Sequence, residues 1–117
     1  MDEDELKRRT KRFALQVMAL VESLPNTQVG RAIGGQLVRS GTSVGANYRA
    51  ACRGRSKVEF AAKLGTVEEE ADESGYWMEL IIEGKLMKEE RVVSLLSEAN
   101  EIAAIMAASR KTMARQR

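Results

Sequence analysis

With 117 residues and a mass of 13.0 kDa, the chain has the length of one domain with a real core. Its residues are 44% hydrophobic and 31% charged, which argues for a folded, water-soluble protein and against disorder, and no apolar run approaches the ~18 residues of a membrane span. Net charge is only +2, yet residues 1–57 carry 11 basic and 5 acidic side chains while residues 58–117 carry 8 and 12. Such a split marks a nucleic-acid face or complementary subunit surfaces, unless it reflects solvated helix faces alone.

The hydrophobic spacing predicts four helices and no strand. The first covers about residues 4–24, with Leu6, Phe13, Val17, Leu20 and Leu24 on one side. Its opening acids suit the helix dipole, and Glu3–Lys7, Asp4–Arg8 and Glu5–Arg9 are i,i+4 pairs. Pro25-Asn26 ends it, with Asn26 expected to cap the next helix. The second helix, about 27–53, has a buried stripe of Ile33, Leu37, Ser40, Val44, Asn47 and Ala51. Gly34, Gly41, Gly45 and Cys52 run along one flank. Mid-helix glycines, Gly35 among them, each cost about 1 kcal/mol relative to alanine, so the glycine flank is expected to be a tight helix–helix seam. The opposite face collects Arg31, Thr42, Arg49 and Arg53, with Arg39 to one side, and Gly54 stands at the helix exit.

Ser56-Lys57-Val58-Glu59 has the form of a capping box and opens the third helix, about 57–83. Phe60, Leu64, Val67, Ala71, Met78 and Ile82 form its core stripe, bordered by the acids Glu68, Glu69, Glu70, Asp72 and Glu73. Tyr76 and Leu80 fall on the far side with Trp77 at the edge, and large apolar residues on a second face call for a second partner. Gly84 ends this helix. The fourth, about 89–114, buries Val92, Leu95, Leu96, Ala99, Ile102 and Met106 and finishes with Arg110, Lys111, Arg115 and Arg117 nearby. Short links favour antiparallel neighbours, so the expected fold is all-α: one domain, 1–117, an antiparallel up-down-up-down four-helix bundle.

Catalytic or metal chemistry has little to work with. The absence of histidine removes the commonest general base and zinc ligand. A lone cysteine rules out cysteine-rich metal sites and internal disulfides; it fits a reducing cytoplasm. An acidic start without an apolar segment shows no secretory signal. Glu70 and Glu73 have i,i+3 spacing, but a di-metal bundle site needs histidines that are missing. Asn47 in the core stripe reads as a register-fixing amide, and Arg39 as a partner for the third helix's acids. No metal, cofactor or catalytic residue is expected.

The run Gln36–Asn47 (QLVRSGTSVGAN), followed by Arg53–Phe60 (RGRSKVEF), resembles the signature of the bacterial four-helix-bundle family also called the 23S rRNA intervening-sequence, or S23, family. Glu68–Leu80 and Leu96–Lys111 resemble that family's third and fourth helices. Tyr48-Arg49-Ala50-Ala51 and Glu69-Glu70 depart from its commonest motif, which suggests a subgroup. The resemblance implies a left-handed antiparallel bundle assembling as a homopentameric ring. Distant relatives in retroelements bind a reverse transcriptase and RNA through a basic pentamer surface.

The leading functional expectation is a non-enzymatic, cytoplasmic, oligomeric binding module that contacts RNA, DNA or a nucleic-acid enzyme. Its basic face would be Arg31, Arg39, Arg49, Arg53, Arg55 and Lys57, supported by the two basic termini; its subunit contact, Tyr76, Trp77 and Leu80. The rival expectation is a protein-only structural or regulatory scaffold forming a homo-oligomeric ring, its arginines meeting the acids of a neighbouring subunit.

Overall fold

The computed structural model describes residues 1–115; Arg117, counted above with the basic terminus, lies outside them. The first three helices start where a short polar side chain can satisfy orphan N–H groups. Asp2 accepts from the Glu5 amide at 2.8 Å and opens α1, Glu3–Glu22. Thr27 accepts from the Gly30 amide at 3.0 Å and opens α2, Gln28–Cys52. Thr27, not Asn26, is therefore the cap. Asn26 instead accepts a bond from the Arg31 guanidinium at 3.0 Å. Ser56 accepts from the Glu59 amide and opens α3, Lys57–Glu83. The Glu59 carboxylate reaches back to the Arg55 amide at 2.6 Å, closing the capping box one residue earlier than the motif requires. The last element is split: a 3-10 turn at Glu89–Arg91 precedes α4, Val93–Arg115.

The four helices stand antiparallel in a body measuring 48 × 21 × 19 Å. α2 packs on α1 and α3, and α3 on α4, while α1 and α4 touch more sparsely. Phe13, Val17, Leu37, Val44, Leu64, Val67, Met78, Ile102 and Met106 are fully enclosed. Several core expectations need correction. Tyr48, not Asn47, is buried on α2; Asn47 is half-buried and its side-chain amide donates to the Ser43 carbonyl at 2.9 Å. On α3, Ile81 is fully buried and Ile82 only partly so. Phe60, at the helix's first turn, is also half-buried, as are Leu24, Ile33 and Leu96 at the edges of their stripes. At Tyr48 and Ile81 the stripe has drifted by one position, because 3.6 residues per turn do not repeat in whole numbers.

The glycine flank is the seam between α1 and α2. A methyl group on Gly41 would fall 2.7 Å from Cγ1 of Val17, and one on Gly34 would fall 3.1 Å from Cγ1 of Val21. Gly45 lies against the backbone of Thr10. Gly35, by contrast, faces open space. On the other side of α2, the buried hydroxyls of Ser40 and Ser74 meet at 2.9 Å and also bond carbonyls of their own helices. Small residues on both flanks thus set how closely α2 approaches its neighbours.

Candidate nucleic-acid interface

Antiparallel packing gathers at one end of the bundle the starts of α1 and α3 and the finishes of α2 and α4. Residues 1–11, 49–63 and 109–115, which make up this end, carry twelve basic and five acidic side chains, a balance of +7. The remaining described residues carry six basic and twelve acidic ones, a balance of −6. The small net charge therefore conceals an electrical polarity along the long axis. Arg8, Lys11, Arg49, Arg53, Arg55, Lys57, Lys63, Lys111 and Arg115 are exposed at this end.

The six basic residues expected to form one face do not stay together. Arg49, Arg53, Arg55 and Lys57 cluster at the basic end, around the α2–α3 turn. Arg31 shares their helix face but sits 18 residues from Arg49, about 27 Å at 1.5 Å per residue, near the opposite end. Arg39 lies midway and is engaged within the chain by Glu73 and, at 3.4 Å, by Glu70. It is a strap between α2 and α3, as its sequence context suggested, and is removed from the open basic surface. The basic termini, Lys111 and Arg115 among them, were expected to support the basic face, but which of them join it, and that Lys63 does so too, escaped a single-helix wheel, which cannot see the ends that the topology assembles. Helix lengths combined with antiparallel order carried that signal.

Two other arginines also serve the fold. Arg9 bonds both Glu98 oxygens at 2.7 and 2.8 Å and reaches Glu101 at 3.0 Å, tying α1 to α4. These bonds, from Glu98 above all, raise its already high pKa further. Arg110 grips Glu68 at 2.6 Å and ties α4 to α3. No such ion pair among the described residues engages Arg49, Arg53, Arg55, Lys57 or Lys63.

The groups with catalytic potential are poorly placed for it. Cys52 is half-buried on the glycine flank, and burial pushes its thiol pKa up, away from the nucleophilic thiolate. Burial likewise raises Tyr48. Among the described residues no three His, Cys, Asp or Glu side chains converge on a possible metal position. A groove of about 750 Å³ between α1 and α4 is lined by Arg12, Gln16, Ser23, Arg91, Ser94 and Glu98 among others. It is the open side of the sparse α1–α4 seam. No helix of the described residues is long and apolar enough to cross a membrane.

On α3, Tyr76 is exposed and Leu80 half-buried on the outer face. Trp77 is turned inward: it is half-buried against the core and donates to Glu73 from its indole nitrogen at 3.4 Å. Its ring meets Tyr76 edge-on, centroids 5.1 Å apart. The three do not form one equally open patch.

Bundle and charged end together define an antiparallel four-helix protein with one strongly basic pole. Residues 3–108 match the model of the 23S rRNA-intervening sequence protein family, and the chain belongs to that family. It is similar to a protein of unknown function from the S23 ribosomal protein family of Bacteroides thetaiotaomicron VPI-5482, known from a crystal structure. The two are 32% identical with a TM-score of 0.87, over 95% of this chain and 99% of the other. No curated protein matches the chain.

Proposed function

We propose that the protein is a non-enzymatic, self-assembling binding module whose basic end contacts the phosphate backbone of RNA. The observation that carries this reading is the concentration of charge: +7 at one end of a chain whose net charge is +2. Arg49, Arg53, Arg55 and Lys57 lead that surface, and Arg8, Lys11, Lys63, Lys111 and Arg115 extend it. Unpaired arginine and lysine on exposed helix ends suit phosphate, which they bind with little regard for base sequence. Described residues outside this end carry −6 and would repel a polyanion, so contact is restricted to one pole. The homopentameric ring implied by family resemblance would present five such poles on one side.

The test is a salt titration of binding to unrelated single-stranded and duplex RNAs. Affinity in the range of non-specific binding, a Kd of about 10⁻⁴–10⁻⁶ M, should fall linearly on a log–log plot as salt rises. Sequence should change it little. Protein that ignores RNA at ~50 mM salt would defeat the proposal.

The protein-only scaffold receives a narrower role. Arg39 meets Glu70 and Glu73 within its own chain, so that pairing offers nothing to a neighbour. Arg31 is exposed at the far end and bonds Asn26.

A further inference from the structure

The basic end is not evenly basic. Four of its five acids, Asp2, Glu3, Asp4 and Glu5, crowd the tip of α1, and the fifth, Glu59, is turned back on the Arg55 amide. Arg8 and Lys11 sit behind that tip. The other exposed cations belong to the remaining three helices and fall into two rows. One follows the α2–α3 turn: Arg49, Arg53, Arg55 and Lys57. The second lies along α3 and α4: Lys63, Lys111 and Arg115. Gly65 faces Arg110 across that seam, so Lys63 and Lys111 stand at similar heights. α2 and α4 each pack on α3 from opposite corners of the bundle. With 8–10 Å between neighbouring axes, their axes are about 13 Å apart.

The aromatic side chains lie away from both rows or are turned inward. Phe13 and Tyr48 are enclosed in the core, and Phe60 and Trp77 are half-buried against it. Tyr76, 53% exposed, stands among the acids Glu69, Asp72 and Glu79. It follows Lys57 by 19 residues of one helix, about 28 Å, in a body 48 Å long. Proteins that hold single strands combine a basic track with aromatic platforms on which the bases stack. Here the exposed aromatic ring and the cations are separated by more than half the molecule, and the charge changes sign between them.

We propose that the basic end recognises double-stranded segments of RNA, holding two phosphate rows across a groove and reading no bases. The row on the α2–α3 turn takes one strand and the row on α3 and α4 takes the other; the distance between them is of the order of a groove. A lone strand satisfies one row at a time. Phosphate contacts fix position without reading sequence, and the bases of a duplex are already stacked on one another, so an aromatic platform adds nothing. The acidic tip of α1 repels the polyanion from the fourth corner and fixes the side on which the duplex lies. The inference rests on the reading of this end as an RNA-binding surface.

The test sets an RNA duplex of about 20 base pairs against each of its strands alone, with the full chain, in the same salt, by fluorescence anisotropy. The duplex should bind at least about tenfold more tightly than either strand. Replacing alternate nucleotides of one strand by abasic ones should change that strand's affinity less than about twofold, where stacked bases would cost about tenfold or more. Arg53→Glu in one row and Lys111→Glu in the other should each weaken duplex binding about threefold or more and flatten its log–log salt slope by about one unit. Both side chains are exposed, and circular dichroism should show unchanged helicity. A strand that binds as tightly as the duplex, a large loss on removing bases, or duplex binding that depends on one row alone would each overturn the inference while the RNA-binding surface stands. If neither duplex nor strand binds at ~50 mM salt, the RNA reading fails and takes the inference with it.

Discussion

A side chain at position 41 has nowhere to go, because Val17 already occupies the space where its first carbon would sit. Gly41→Leu should therefore overpack the α1–α2 seam and cost about 1–3 kcal/mol or more in a thermal or denaturant melt. Gly35, six residues away on the same helix, faces solvent with no atom within 4 Å of an added methyl. Gly35→Ala should stabilise by up to about 1 kcal/mol, since alanine restricts the unfolded chain and suits the helix interior. Equal effects at the two positions would contradict the seam. At the start of α1, bonding from the Glu5 amide holds the Asp2 carboxyl below its usual pKa. A depressed folded pKa means stabilisation present above the unfolded value and lost as pH falls through the folded one. The protection of the Glu5 amide, its exchange measured against the intrinsic rate at each pH, should fall as pH drops below the ordinary carboxylate range, and Asp2→Asn should remove most of that pH dependence.

The elements themselves were legible in the sequence to within a few residues, because capping residues, glycine exits and apolar spacing agree with one another along this chain. The seam was legible too: mid-helix glycine is costly, and the compensating contact lies on the flank where the glycines fall. What stayed hidden depends on neighbours. Asn47 and Tyr48 differ by one step around the helix, and only the position of α1 and α3 decides which of them is enclosed. The α1–α4 seam was equally invisible. The two backbones approach each other closely at few points, and the Arg9–Glu98–Glu101 cluster bridges the gap between them. Arg9→Met keeps the stem and removes both ion pairs, and should cost about 1–2 kcal/mol given their partly buried geometry. Hydrogen exchange should quicken in α1 and α4 while the α2–α3 pair stays protected. Uniform loosening of all four helices would argue against this local role.

For the whole molecule, the bundle converts a modest asymmetry in sequence into an axial polarity. Dividing the chain in half yields the sign of the imbalance but not its direction, since Arg31 and Arg49 lie in the same half and near opposite ends. At ~0.1 M salt the Debye length is about 10 Å, and the two positions are about 27 Å apart along the helix. Their contributions to binding at one pole are therefore separable. The most direct test reverses two charges at each end and measures RNA affinity across a salt series. Arg49→Glu with Arg53→Glu should weaken binding by at least about tenfold, equally across sequences, and flatten the log–log salt slope by about one unit for each phosphate no longer neutralised. Arg31→Glu with Lys88→Glu makes the same change in net charge away from the basic end and should leave affinity and slope nearly as they were. Equal losses from the two variants, or none from the first, would contradict a nucleic-acid interface at the basic end.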